Sequence, residues 1–549
     1  MDFVQQAPQL SHPLLHDRVL RSWLAASFDT PARAQLQPHL QALGDYALQA
    51  HARSLQTPRE EPVLTQWDAW GTRVDRVALS TAWREGPALT AEHGLLWRGH
   101  VADAHGLQRA AQFACVYLYH VASAFYTCPL AMTDGAATAL KAAGAEALIA
   151  RALPHFLARD AAQLWLSGQW MTETAGGSDV GRSGVEARQG GDGQWRLYGR
   201  KWFTSAIVGE AALALARPQG AGNGTAALAL FYVETRRADG RWQEGLRILR
   251  LKDKLGTREL PTSETELDGL PATLVGEAAH GVRAIAPMLN ITRTWNSICA
   301  LASMRRALAL ALDYAQRREA FGTPLRAKPL HAATLAGLCA EFEAAFALGF
   351  ALTRLLGEVE SNLADADAQA AWRVLTPLAK LWTGKLAVRI VSECLEACGG
   401  AGYIEDTGLP LLLRDAQVYP IWEGTTNVLA LDALRALGYA GLTPFAHWLR
   451  RRWPAQSPAP EALQTTLQQA EQWLQSRVTQ HDALQAGARG LALTLARCAA
   501  ACELARLAQT AATQGDRRPQ AALRRFLAHG LDRLQAIARD DDDAILAQD

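Results

Sequence analysis

Cysteine, methionine and lysine are all scarce in this 549-residue chain, at 8, 5 and 7 residues. Eight cysteines are too few for the dense framework of a secreted disulfide scaffold. Cys394/Cys398 and Cys498/Cys502 are spaced i,i+4 on helical stretches, but no His pair accompanies them to complete a zinc site. No metal is expected, and the thiols read as buried and reduced. The net charge is only +1. That excludes a whole-chain field for nucleic acid or membrane and leaves local patches as the electrostatic route. No uninterrupted apolar run reaches the roughly 20 residues of a membrane span. The start, Met1-Asp2-Phe3-Val4-Gln5-Gln6, lacks the basic and apolar segments of a secretory leader. A cytoplasmic protein with no membrane partner is the expectation.

What is present is a globular composition, 49% hydrophobic and 20% charged, long enough for about three or four domains. Residues 1–165 read as helical, most clearly over Gln41–Gln56 and Ala139–Ala158, with Trp67, Trp70, Trp83 and Trp97 as anchors between helices. Residues 166–280 change character. Trp195–Thr204 alternates polar and apolar residues after the turn Gly190-Gly191-Asp192-Gly193. Ala226–Val233, Leu246–Leu251 and Thr262–Leu267 are further runs of strand length, so a β-sandwich or barrel is predicted. From 281 to 440 the long amphipathic stretches 287–318, 329–357, 367–398 and 425–437 suit a four-helix bundle. Residues 441–549 make an extra helical domain, in which 460–540, after the proline-marked break Trp453–Pro460, supplies about three more helices. No internal repeat is evident.

Five segments carry candidate chemistry. Met171–Val180 holds Thr172, Gly176, Gly177 and Ser178, small and hydroxylated residues that suit a flavin edge or a phosphate, although such a run is also an ordinary loop. Gly199–Ser205 places Trp202, Phe203 and Thr204 on a strand, with Trp202 and Thr204 on one face; the plain alternative is sheet core. Tyr314–Gly322 ends a helix with Arg318 and Phe321, where Arg also compensates the helix dipole. Cys398–Tyr403 reads as a glycine-rich helix cap around Gly400. Arg414–Asn427 runs through Trp422, Glu423, Gly424, Thr425 and Asn427 into another helix.

In this order and spacing the five segments resemble the acyl-CoA dehydrogenase family, with its T-E-x-x-x-G-S-D loop, K-x-W-x-T strand, R-x-x-F-G helix end, G-G-x-G turn and Y/W-E-G-T. The resemblance covers roughly residues 100–440. It implies a multidomain α+β fold: a helical domain, a middle β-domain, then a four-helix bundle. It implies FAD, held by Met171, Thr172, Gly177, Ser178, Trp202, Phe203, Thr204, Gly400, Trp422, Gly424, Thr425 and Asn427, with Thr204 near N5. Arg318 and Phe321 fall where a neighbouring subunit contacts the dinucleotide, which implies an oligomer, usually a homotetramer. Glu423 falls on the base that takes the α-proton of an acyl-CoA thioester while the β-hydrogen leaves as hydride. Arg293 falls beside that base, and Thr292 closes the other position where some members carry it. Ala320, Glu396 and Trp295 depart from the family pattern, and Trp295 suggests a narrowed acyl pocket.

The length beyond 440, Thr127–Met132 and the Gly176-Gly177 form of the loop resemble the alkylation-response, AidB-type branch, whose fourth helical domain is associated with DNA. From 441 to 539 there are 13 Arg, no Lys and six acidic residues, a net of +7, with Arg450, Arg451, Arg452, Arg517, Arg518, Arg524 and Arg525 clustered. The acidic run Asp540–Asp543 opposes them. Two readings stand: a flavoenzyme acting on an acyl-CoA, and a flavin-containing protein that binds double-stranded DNA without sequence preference.

Overall fold

A computed structural model describes residues 6–457 and 460–534, together with Leu546. Arg539 and Asp540–Asp543 lie outside the described residues. The chain divides into two compact units, Met1–Leu55 with Ala102–Ala122 and Asn296–Asp549, and Gln56–Val101 with Ser123–Trp295.

The second unit is built on a closed β-barrel. Strand Ala211–Pro218 pairs with Glu186–Gln189, which pairs in turn with Trp195–Ser205, Thr262–Val275 and Ala229–Glu234. Ala229–Glu234 returns to Ala211–Pro218. That last pairing closes the ring and decides for a barrel over a sandwich. Ser167–Trp170 and Leu246–Leu251 attach outside the ring. Alternation puts Leu197, Ala212, Ala214, Phe231, Val233 and Leu270 into one apolar core.

Two features of this unit depart from the sequence expectation. Residues 63–78 form a hairpin, Val63–Trp67 with Arg73–Ala78, rather than helix. Trp67 and Trp70 belong to it and are solvent-facing, Trp70 at 93% exposure, so neither is a helix anchor; Trp83 is buried as expected. The hairpin is held to Leu246–Leu251 by side chains. Gln66 Nε2 donates to the Ile248 and Leu249 carbonyls, and Asp75 accepts from the Ile248 amide at 3.0 Å.

The first unit is helical. Its main rods are the latter part of Gly281–Arg317, then Pro329–Glu360, Ala366–Glu396 and Thr426–Ala440, within a few residues of the predicted stretches. Thr443–Arg452, Pro460–Gln475, Ala488–Thr513 and Arg518–Ala528 belong to the same unit. Pro329–Glu360 is long and apolar enough to cross a membrane, yet most of it is buried inside the unit. It carries two buried carboxylates. Glu341 accepts from both Arg497 nitrogens, at 2.8 and 3.1 Å, and lies 2.8 Å from His529 Nδ1. Glu343 receives only the Arg518 Nε, on one oxygen, and its Oε2 has no partner.

The difference in bonding decides the two acidities. Burial opposes ionisation of Glu341, but Arg497 and His529 overcome it and hold its carboxyl below the ordinary range. Burial prevails at the half-bonded Glu343 and pushes its carboxyl up. A carboxyl depressed in the folded state contributes stability above its unfolded pKa and loses it as pH falls through the folded value. The Glu341 contribution is therefore present at neutral pH and disappears in acid. Arg497→Met should cost about 3–5 kcal/mol at neutral pH, read as a lower unfolding temperature, and less at acid pH where Glu341 is protonated. Arg524→Met, on an exposed face, should leave the unfolding temperature unchanged.

Candidate functional site

The candidate residues fall into two groups, one in each unit. In the barrel unit, the loop after Ser167–Trp170 is a narrow turn. Glu173 and Gly176 bond each other through their backbones, and Gly176 has φ 127°. A Cβ on Gly177 would meet Thr172 Oγ1 at 2.7 Å, so the loop closes tightly only with glycine there. The Thr172 carbonyl accepts the Trp202 amide at 2.9 Å, fastening the loop to the strand. Beneath it lies a buried ion pair. Lys201 Nζ donates to Glu173 Oε1 at 2.6 Å and to the Leu215 carbonyl at 2.7 Å. Glu173 also accepts the Gly184 and Val185 amides. Burial pulls the Lys201 ammonium down from its ordinary range, and Glu173 opposes that. Neither residue stood among the predicted site residues.

Trp195–Ser205 does not keep strict alternation through its functional end. Lys201 pairs with Thr265 and Thr204 with Ser263, so three steps on one strand face two on the other. The extra residue is a β-bulge, and it turns the following side chains over. Thr204 therefore points inward. It is 0% exposed, and its hydroxyl is occupied by the Ser263 carbonyl and by the Ser263 and Thr265 hydroxyls, at 2.9, 2.6 and 2.6 Å. A flavin edge cannot reach it without breaking that set, which corrects the expectation for Thr204. Phe203 is 50% exposed, and Ser205 is half-buried with Oγ 3.0 Å from Thr262 Oγ1. Counted from Lys201, the K-x-W-x-T pattern also falls on Phe203 and Ser205. Trp202 remains half-buried, with Lys252 Nζ 3.2 Å from its ring centroid.

These residues fit a flavin. Gly177 and Ser178 expose a glycine-bearing backbone, Met171 and Thr172 are partly accessible, and the buried Gln169 Oε1 has no protein partner while its Nε2 meets Met171 Sδ at 3.3 Å. Arg293 is half-buried in this unit. Beside it Thr292 is buried, its hydroxyl donating to the Leu289 carbonyl of its own helix. Trp295 is fully buried. Its indole donates to Asp134 Oδ2 at 2.7 Å, and Asp134 Oδ1 lies 2.8 Å from His100 Nε2.

In the helical unit, Glu423 sits in a turn before Thr426–Ala440. It is half-buried with φ 58°, followed by Gly424 with φ 106°. Two consecutive residues at positive φ are uncommon, and for the non-glycine Glu423 the left-handed region is a strained one. Trp422 Nε1 is buried without a partner, and Thr425 and Asn427 are exposed at the helix entry. Arg318, Glu396 and Gly400 line one cavity of about 630 Å³ with Tyr314, His331 and Thr407. Phe321 stands at the tip of the two-residue hairpin Glu319–Ala320/Thr323–Pro324, 98% exposed with φ 50°.

The arginine cluster is partly spent within the fold. Arg452 makes a two-pronged pair with Glu503, Arg451 pairs with Asp365 and Asp367, and Arg518 pairs with Glu343. Arg525 donates to the Ala333 carbonyl. Arg450, Arg517 and Arg524 are exposed, with no ion pair among the described residues. Of the patch of seven, four cations are thereby left without an ion pair among the described residues, Arg525 being the one that also bonds a carbonyl.

Comparison with known proteins places three family models along the chain. They are the AidB N-terminal domain of adaptive response proteins over residues 6–161, the acyl-CoA dehydrogenase middle domain over 168–270, and the acyl-CoA dehydrogenase C-terminal domain over 279–438. Acyl-CoA dehydrogenase family member 11 of Caenorhabditis elegans is 40% identical over 443 residues, 79% of this chain and 72% of that protein. The putative acyl-CoA dehydrogenase AidB of Escherichia coli is 35% identical over 68% of this chain and 69% of its own length. The crystal structure of C. elegans ACDH-11 in complex with C11-CoA matches with a TM-score of 0.93 at 35% identity, over 99% of this chain and 96% of that one.

The bulge separates the two hydroxyls by experiment. Thr204→Val should cost about 1–3 kcal/mol, because its buried partners lose a bond, while leaving the flavin absorption spectrum unchanged. Ser205→Ala should alter the flavin spectrum or its retention while leaving the unfolding temperature within a degree or two. The reverse pattern would restore Thr204 as the flavin contact.

Proposed function

This chain belongs to the acyl-CoA dehydrogenase family, and from that premise we propose that it oxidises the Cα–Cβ bond of an acyl-CoA thioester with Glu423 as its base. The family's FAD-dependent chemistry makes the enzyme an oxidoreductase acting on CH–CH bonds. The observation that carries the assignment is the Trp422-Glu423-Gly424 turn, with its half-buried carboxylate at positive φ at the mouth of a helix. Thr292, on the other helix where some relatives keep the base, offers no carboxylate.

The α-hydrogen of a thioester is only weakly acidic, so its removal needs a carboxylate within hydrogen-bond reach of Cα. Glu423 takes that proton as the Cα–H bond breaks, and the electron pair forms the Cα–Cβ double bond as the β-hydrogen departs with its own pair. FAD, when bound, supplies the acceptor for that hydride. The chain's part is to hold and orient. Met171, Thr172, Gly177 and Ser178 offer backbone and hydroxyl donors, Phe203 offers an apolar face with Trp202 beside it, and Ser205 offers a hydroxyl. Arg318 and Gly400 suit the phosphates and adenosine of a dinucleotide supplied by a neighbouring copy. The exposed Phe321, at the tip of the hairpin that follows Arg318, supports a homo-oligomer, read here as a tetramer. The C11-CoA bound to the nematode relative supports an acyl-CoA with a chain of similar length as substrate.

The test is bleaching of the flavin by a panel of straight-chain acyl-CoA thioesters. The native protein should bleach with at least one of them, and Glu423→Gln should lower the rate by a factor on the order of 10³ or more while keeping its FAD. No bleaching by any thioester would sink the reading.

A second property, non-specific association with double-stranded DNA, is favoured by the exposed Arg517 and Arg524. They are seven residues apart and so share a face, in a segment of net charge +7. Retardation of a mixed-sequence duplex should weaken steeply between 50 and 200 mM salt, a range set by counterion release. Joint charge reversal of Arg517 and Arg524 should lower affinity about tenfold at low salt; unchanged affinity would remove the patch from consideration.

A further inference from the structure

The Glu423 turn is gripped by a buried cation. Lys380 lies within the helix Ala366–Glu396, flanked by the buried Leu378, Ala379, Leu381 and Trp382. Its side chain is 0% exposed, and Nζ donates to the Gly424 carbonyl at 2.5 Å. Placing an ammonium there costs several kcal/mol of desolvation. An apolar side chain would serve the packing of the helix without that cost. The bond to the Gly424 carbonyl ties that buried group to the turn.

One helical turn further on, Gly384 lies so close to the turn that a Cβ would come within 2.9 Å of the Tyr419 carbonyl oxygen. The same helix thus approaches both ends of the segment Tyr419–Gly424. At the Tyr419 end the phenol lies 2.6 Å from both Ser303 Oγ and His120 Nε2, and Asn296 Nδ2 donates to the Tyr419 carbonyl at 3.4 Å. Between these fixed ends comes Glu423 in the left-handed region. That conformation costs a non-glycine residue on the order of 1–3 kcal/mol and persists only where its surroundings over-determine it. The bond from Lys380 falls one residue past the carboxylate. It fixes the carbonyl of Gly424, whose φ of 106° only glycine adopts readily.

We propose that Lys380 is a positioning residue for the base. Its buried ammonium locks the strained Glu423-Gly424 turn through the Gly424 carbonyl and sets a fixed positive charge one residue from the carboxylate that takes the α-proton. The proposal rests on the assignment of Glu423 as that base. Lys380 touches no reacting atom in this role. Its contribution is to keep the carboxylate on one trajectory, and a displacement of about 1 Å in such a group lowers rate by up to about a hundredfold.

The experiment compares Lys380→Met, Lys380→Gln and Glu423→Gln in the full-length, FAD-loaded protein, with C11-CoA as probe and a one-electron dye as acceptor. Lys380→Met should keep its flavin and hold KM within about threefold while kcat falls at least about tenfold. Lys380→Gln, a neutral donor, should fall between Met and the native protein. If kcat of Lys380→Met stays within about twofold of native, or if the loss appears only in KM or in flavin content, the proposal is overturned. It is overturned equally if neither variant folds with its flavin, since Lys380 would then serve the fold rather than the base. Glu423→Gln keeps the two ideas apart. Retained turnover in that variant removes Glu423 as the base. Abolished turnover there, with undiminished kcat in Lys380→Met, removes only the role of Lys380.

Discussion

The barrel half of the site depends on the buried pair between Lys201 and Glu173. One carboxylate collects the ammonium of a barrel strand and the amides of Gly184 and Val185, while the same ammonium reaches the Leu215 carbonyl. Three stretches of chain are thereby tied at one point beneath the Met171–Ser178 loop. Removing either partner leaves a charge in the core, which costs far more than the pair itself contributes. The Met171–Ser178 loop can consequently consist of small residues, Gly176 and Gly177 among them, because its position is set from below.

A comparable economy governs the helical unit. Glu341 and Glu343 sit on the most apolar helix of the protein and find their cations, Arg497 and Arg518, in the helices beyond residue 440. Arg452 and Arg451, from the same late segment, pair with Glu503 and Asp365. The late helices are electrostatically part of the bundle. Many of their arginines are occupied in holding the fold together, which is why a charge count overstates what is free to meet a polyanion.

The long helices were legible because their apolar periodicity extends over 15 or more residues, and their bounds in the structure fall within a few residues of the pattern. The Glu423 turn was legible through its Trp-Glu-Gly-Thr spelling. Four things were not. Ala211–Pro218 is an Ala- and Leu-rich octapeptide with helical propensity, and it becomes a strand because the barrel buries nearly all of it. The hairpin at 63–78 is short and half-exposed, so it shows little alternation, and its tryptophans lie on the solvent side. Thr204 was misjudged because a single inserted residue reverses the face of everything after it, and period-two reasoning has no local sign of a bulge. Lys380, an isolated lysine inside a helix, gives no sequence hint of the carbonyl it will meet.

The hairpin has one more effect. Ring closure leaves the barrel proper without an open margin, but Leu246–Leu251 hangs outside the ring with a side that no strand covers. Gln66, Arg73 and Asp75 occupy the Ile248 and Leu249 backbone groups on that side. They do so with side chains, which satisfy the edge without extending the ladder, so the sheet ends there. Asp75 takes up a left-handed φ of 41° in the structure and is itself buried. An unguarded edge of this kind is a template for strand addition by another chain. The small hairpin thus acts as a stopper on that edge, leaving another chain no row of free backbone groups to extend.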